Sequence, residues 1–239
     1  MSFSTTKVIG ILQSLILSCV LVTHVAAQDI VIHDDPRFNS VAWMQTAAEY
    51  QLLARQSYRL AQYQMNIGLS DGHWSADEVQ VAEGGYFGKP PAVILDLDET
   101  VLDNSAYNAR NIIEKTEYTQ ENWNAWCNEE RARLIPGACD FLKAANALGV
   151  KVFFITNRRD EVKTATVNNL KKLGICADEN NVLTRNDAEG RGGDKLSRRA
   201  MVARDHRIIL LMGDNLSDIC SEMEVTDHVL RSATANRKA

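Results

Sequence analysis

Short apolar runs that stop at a carboxylate or a hydroxyl set the pattern of this chain. Ala92-Val93-Ile94-Leu95 stops at Asp96, Val150-Lys151-Val152-Phe153-Phe154-Ile155 stops at Thr156, and Ile208-Ile209-Leu210-Leu211-Met212 stops at Gly213-Asp214. Runs this short, with little polar alternation, predict strands buried on both faces of a parallel sheet. Helical patterns lie between them: Gly137 to Leu148, closed by Gly149; Asp160 to Leu173, closed by Gly174; and Lys195 to Asp205. A glycine after the last periodic residue is a natural helix stop. Strand alternating with helix predicts a doubly wound α/β sheet, with three α/β/α layers.

Four segments fall outside this alternation. From Val41 to Met65, Trp43, Ala47, Tyr50, Ala54, Tyr58, Ala61 and Met65 recur at helical spacing, which predicts one long N-terminal helix with its stripe packed on the core. Residues 69–91 read as loop, punctuated by glycines and Pro90-Pro91. The stretch from Asn104 to Leu134 follows the first strand at once and carries Tyr107, Tyr118, Trp123 and Trp126; it reads as a small inserted cap over about residues 104–135. Residues 1–27 have a single charge, Lys7, then an apolar run from Val8 to Val22, then Val25-Ala26-Ala27. That is the three-part layout of a secretory signal, cleaved after Ala27, leaving one domain over 28–239. Lipid attachment at Cys19 and retention as an anchor are the alternatives, and all three readings place the body outside the cytoplasm.

Composition narrows the classes. The 239 residues are 45% hydrophobic and 24% charged, with a net charge of −5. These are the values of a globular domain, which excludes disordered, collagen-like and multi-span membrane chains. The acidic balance argues against a general binder of nucleic-acid polymers. Cys127, Cys139, Cys176 and Cys220 remain after loss of Cys19, and none has metal-ligand spacing. Disulfides and buried free thiols both fit.

The polar residues just past the strands carry the chemistry. Ligands of an open parallel sheet bind at the carboxyl ends of its strands, so Asp96 and Asp98, Thr156 and Asn157, and Asp214 and Asp218 converge there. Carboxylates crowded into one cleft repel each other, and a hard divalent cation removes that cost. All-oxygen ligands favour Mg²⁺, which takes one or two carboxylates together with a substrate phosphate. One aspartate of Asp96-Leu97-Asp98 can attack phosphorus, and the other can move the proton. Thr156 and Asn157 can hold phosphoryl oxygens ahead of the helix starting near Asp160. Lys195 offers a compact positive charge. Arg191, Arg198 and Arg199 nearby fit a charged, solvated helix start. Gly190-Arg191-Gly192-Gly193 reads as a flexible loop, not a nucleotide fingerprint, since no strand-to-helix turn surrounds it.

Asp96-Leu97-Asp98-Glu99-Thr100, Ile155-Thr156-Asn157-Arg158, Asp194-Lys195 and Gly213-Asp214-Asn215-Leu216-Ser217-Asp218 occur in this order. The set resembles the haloacid dehalogenase (HAD) superfamily of phosphohydrolases. With Val101-Leu102-Asp103-Asn104-Ser105, Trp123 and Pro136-Gly137 it is similar to the exported class C acid phosphatases, a group that includes lipoprotein 5′-nucleotidases and shares its domain with plant acid phosphatases and storage proteins. The resemblance implies a Rossmann-like HAD sheet and Mg²⁺-dependent hydrolysis of phosphomonoesters, nucleoside 5′-monophosphates among them. It implies Asp96 as nucleophile and metal ligand, and Asp98 as general acid/base with its backbone carbonyl on the metal. It further implies Asp214 as a direct ligand, Asp218 as support of the metal's water shell or of Lys195, and Thr156, Asn157 and Lys195 on the phosphoryl group. Arg158 is a candidate substrate contact, and Tyr50, Tyr107 and Trp123 are candidates for stacking on a nucleobase. The expected partner is a small phosphomonoester, with a homo-oligomer and a lipid-anchored outer-membrane form as further options. A non-catalytic storage or binding protein and a phosphotransferase are the competing functions.

Overall fold

The structure is a computed structural model that describes residues 35–219. The expected signal segment, Cys19 and Cys220 lie outside the described residues. In chain order the elements are helices α1 (Arg37–Thr46), α2 (Ala48–Ser70) and α3 (Glu78–Glu83), strands β1 (Pro91–Leu95) and β2 (Leu102–Asp103), helices α4 (Ser105–Glu114) and α5 (Gln120–Asn128), strand β3 (Arg133–Leu134), helix α6 (Ala138–Ala147), strand β4 (Lys151–Arg159), helix α7 (Lys163–Lys172), strand β5 (Val182–Arg185), helix α8 (Leu196–Asp205) and strand β6 (Arg207–Met212).

Four strands form one parallel sheet in the order β5-β4-β1-β6. Alternate residues of the strands face opposite layers, as the two-residue period of a strand requires. Val93 and Leu95 pack with Tyr58 and Met65 of α2, Phe141 of α6 and Leu170 of α7. Ala92 and Ile94 pack with Phe153, Ile155, Ile208 and Val202 of α8. The three-layer α/β/α sheet is thus the one the apolar runs predict. Strand β5 is an addition. Its burial alternates between full and partial, the pattern of a short edge strand, so no continuous apolar run marks it.

The predicted N-terminal helix is two helices. Ala47 is extended (φ −78°, ψ 124°) and breaks the run. Helix α1 packs on α4, whereas α2 packs on α6 and β6, and one straight rod does not serve both directions. Tyr58, Ala61 and Met65 are buried as expected, but Trp43, on the other side of the break, is 45% exposed. Helix α2 approaches β6 closely at Gly68, where an added Cβ would lie 2.9 Å from Trp74 Cδ1 and 3.1 Å from Ile209 Cβ. Its end is tied down by Arg207, whose Nη1 donates to the carbonyls of Gly68, Asp71 and Trp74 at 2.9, 2.8 and 2.8 Å. Within the segment read as loop, Asp77 accepts from Gln80 N at 2.9 Å and caps the short α3. A helix of six residues is too brief to show a period.

Between β1 and β4 the chain detours through α4 and α5. Antiparallel pairing of β2 with β3, Leu102 opposite Leu134, closes the detour at its base. Helix α5 starts with a capping box between Thr119 and Asn122. The side chain of Asn169 on α7 bonds both the N–H and the carbonyl of Ala132, at 3.1 and 3.0 Å, and fastens the detour to the sheet layer. Among the described residues no helix is long and apolar enough to cross a membrane. Cys127, Cys139 and Cys176 are free thiols.

Candidate active site

Strand β1 delivers Asp96 to the edge where β6 also ends and past which β4 runs on to Arg159. Its N–H donates to Met212 O of β6 at 2.9 Å, which locks the two strand ends together. One carboxylate oxygen each from Asp96, Asp214 and Asp218 lies within 4.8 Å of the others. Asp96 and Asp218 are buried, and Asp214 is at the solvent-facing mouth. Asp218 belongs to the tight turn Leu216–Asp218 and accepts from Asn215 N at 3.0 Å. Gly213 makes room for it, because a Cβ there would sit 2.3 Å from Asp218 Cβ.

Lys195 joins the cluster from α8. It is the helix's N-cap residue, in the left-handed region (φ 60°), and is 3% exposed. Its ammonium donates to Asp96 Oδ1 and lies 2.5 Å from Asp218 Oδ1. Burial pushes Asp96 up to about 8; Lys195 opposes the rise, while Asp218 and Asp98 add to it. Asp214 is raised by desolvation and then by the charge of Asp218. Three carboxylates facing one ammonium leave net negative charge in a poorly hydrated cleft. All donors are hard oxygens, so the cluster can hold a divalent cation, and Mg²⁺ fits the donor set.

The carboxylate of Asp98 stands apart from this trio. Oδ1 accepts from Arg158 Nε and Nη2 at 2.9 and 2.8 Å and from Asn104 Nδ2 at 2.9 Å, and Oδ2 accepts from Thr156 Oγ1 at 3.3 Å. Arg158 is 1% exposed, and its Nη1 donates to Thr166 Oγ1 at 3.2 Å. Its donors are engaged inside the fold, not aimed into an open cleft. Thr156 is fully buried at the end of the apolar part of β4. Asn157 is exposed, with Nδ2 donating to Gly193 O at 3.1 Å. The glycine loop is therefore a hydrogen-bonded wall of the site.

The aromatic candidates divide. Tyr107 is buried inside the detour, its hydroxyl donating to Asn122 Oδ1 at 2.8 Å and its ring edge-on to Trp123 at 5.0 Å. Trp123 is half-buried, with the Arg158 guanidinium 5.5 Å from its ring. Tyr50 is half-buried on α2; burial, then Asp103 and Glu99, push its hydroxyl up to about 12.

Four polar residues of the site escaped the sequence reading. Asn104, 1% exposed, bridges Asp98 and the indole N–H of Trp126. Glu99, at φ 63°, accepts from Asn104 N at 3.0 Å, and burial followed by the Asp98 charge lifts it to about 7. Arg198 and Arg199 are 0% and 3% exposed, not solvated as their charge implied. Their signal was positional: both fall in the first turn of the helix that Lys195 caps.

Sheet and cleft together define a class: a Rossmann-like α/β protein with a lysine-bridged carboxylate cluster at the strand carboxyl ends and a helical detour after the first strand. The family model described as HAD superfamily, subfamily IIIB (Acid phosphatase), matches residues 26–235, and the chain belongs to that family. It is 27% identical over 129 residues to Acid phosphatase 1 of Solanum lycopersicum, covering 53% of this chain and 51% of that one. It is 28% identical over 178 residues to the Class B acid phosphatase of Morganella morganii, covering 70% and 72%. The chain thus spans about half the length of the tomato relative. The solved Class C acid phosphatase from Bacillus anthracis superposes with a TM-score of 0.71 at 31% identity, over 85% of this chain and 78% of that one.

Proposed function

We propose that this protein is a Mg²⁺-dependent acid phosphatase that hydrolyses phosphomonoesters, nucleoside 5′-monophosphates among them. The observation that carries the reading is the trio Asp96, Asp214 and Asp218, with oxygens within 4.8 Å of one another and Lys195 buried between two of them. Family membership supports it. The apolar leader over 1–27 is read as an export signal, and residues 104–135 as a cap over the cleft.

Asp96 attacks phosphorus through a carboxylate oxygen. The phosphorus–oxygen bond of the ester breaks, and its electron pair leaves with the alkoxide, which takes a proton from Asp98. Asp98 then removes a proton from water; that oxygen attacks the aspartyl phosphate and releases inorganic phosphate and free Asp96. Arg158, Asn104 and Thr156 orient Asp98 for both transfers. Lys195 offsets charge on the equatorial oxygens, with Thr156 and Asn157 as further donors. Asp96, Asp214 and Asp218, with the Asp98 carbonyl, would hold Mg²⁺, which would supply electrophilic charge to the phosphoryl group.

Asp96→Asn, assayed with an aryl phosphate and Mg²⁺, is expected to lose turnover by about a thousandfold or more, since the covalent step has no nucleophile. Turnover like that of the wild type would remove Asp96 from this role.

A further inference from the structure

Lys195 is the first of three buried cations on one turn of α8, and the other two turn away from the cleft. Arg198 reaches one side. Its Nη1 donates to Thr156 O and lies 3.4 Å from Leu183 O, and its Nη2 donates to Asn157 Oδ1 at 2.9 Å and Gly192 O at 2.6 Å. Arg199 reaches the other. Its Nη1 donates to Ser217 O and Asp218 O, each at 3.2 Å, and its Nε lies 3.4 Å from Asp77 Oδ2, the cap of α3.

We propose that Arg198 and Arg199 are two separate positioning residues: Arg198 fixes the phosphate-holding arm Thr156-Asn157, and Arg199 fixes the cation-holding arm at Asp218, both from the turn that presents Lys195. The inference deepens the phosphatase reading above and rests on it. A buried guanidinium gives up its hydration, a loss that its bonds must return. In each arm they reach main-chain carbonyls, Thr156 O from Arg198 and Ser217 O and Asp218 O from Arg199, and Arg198 also holds the Asn157 side chain. Charge-assisted bonds are about twice as strong as neutral ones, and the planar fork fixes direction as well as distance. Arg198 and Arg199 lie in the first turn of the helix that Lys195 caps, so one rigid element sets the spacing of all three functions. A shift of about 1 Å in a reacting group costs on the order of a hundredfold in rate, which is the precision that these bonds protect.

The test is a double dissociation in the full chain, using Arg198→Met and Arg199→Met with Arg198→Lys and Arg199→Lys beside them. Mn²⁺ affinity is measured without substrate, by electron paramagnetic resonance. The inhibition constant of inorganic phosphate is measured at saturating Mg²⁺, and thermal melts check folding. Arg199→Met is expected to weaken Mn²⁺ about ten- to a hundredfold while leaving phosphate inhibition within about threefold. Arg198→Met is expected to do the reverse. The lysine variants keep charge and bulk without the two-pronged reach, so each should show the same selectivity at smaller amplitude; they carry the comparison if a methionine variant fails to fold. Equal loss of both constants in either variant, or loss of neither, overturns the assignment. A wild-type chain that neither hydrolyses an aryl phosphate nor binds phosphate overturns the phosphatase reading instead, and the Mn²⁺ arm then judges Arg199 alone.

Discussion

Gly213→Ala tests the geometry of the cleft with the smallest possible perturbation. The added Cβ would lie 2.3 Å from both Cβ and Oδ2 of Asp218 and 2.5 Å from its Cγ. An ordinary carbon–carbon contact is about 3.5–4 Å, so Asp218 must retreat by more than an ångström. That retreat strains two bonds at once, the 2.5 Å contact with Lys195 and the 3.0 Å bond from Asn215 N. Overpacking by one methyl costs about 1–3 kcal/mol, and weakening a buried ion pair adds to it. A total of about 2–4 kcal/mol is expected, lowering the melting temperature by about 5–15 °C for a domain of this size. Mn²⁺ affinity should fall by about tenfold, because one of three clustered carboxylates has left its place. Scanning calorimetry and a Mn²⁺ titration on the same preparation read both numbers. A variant that melts within about 2 °C of wild type and binds Mn²⁺ unchanged would show that residues 213 and 218 do not meet as described.

Asp160 gives a pH-dependent counterpart. Burial alone would raise its carboxyl, but the bonds from Arg191, Thr184 and Asn186 outweigh burial and hold it at about 2, below the ordinary carboxylate range. A depressed carboxyl contributes stability above its unfolded value and loses it as pH falls through the folded one, so Asp160→Asn should cost about 1 kcal/mol near pH 6, after allowing for solvent screening. Urea melts should show that gap narrowing below about pH 4, and a gap that stays constant down to pH 3 would refute the assignment. In Tyr58→Phe the carbonyl of Thr100 loses the hydroxyl that now reaches it at 2.5 Å inside the core. An orphaned buried acceptor costs about 1–3 kcal/mol, and no measurable loss in a denaturant titration would count against the bond.

The central sheet was legible because its strands are buried on both faces, which writes them as unbroken apolar runs with a carboxylate or hydroxyl at each end. Asp96, Thr156 and Asp214 stand just past the ends of those runs. Strand β5 was missed because an edge strand buries only alternate residues. The break at Ala47 was missed because the stripe runs through it with no glycine or proline, and only the separate packing partners of α1 and α2 impose it. Side-chain direction was the least legible property. Arg158, a candidate for substrate contact or for the surface, is buried with its donors on Asp98, Asn104 and Thr166. Arg198 and Arg199 looked like surface charge because most of their partners are backbone carbonyls, and a carbonyl leaves no letter in a sequence.

Arg207 ties down the end of α2 in the same silent way, through the carbonyls of Gly68, Asp71 and Trp74. Every residue type offers that acceptor, so the anchored segments are free to drift in side-chain identity while the anchor holds them in shape. What they cannot absorb is an insertion or deletion, which would slide the oxygens out of register with the fork. The tolerance of this scaffold is therefore lopsided, generous to replacement and strict about length, wherever a buried guanidinium grips the main chain.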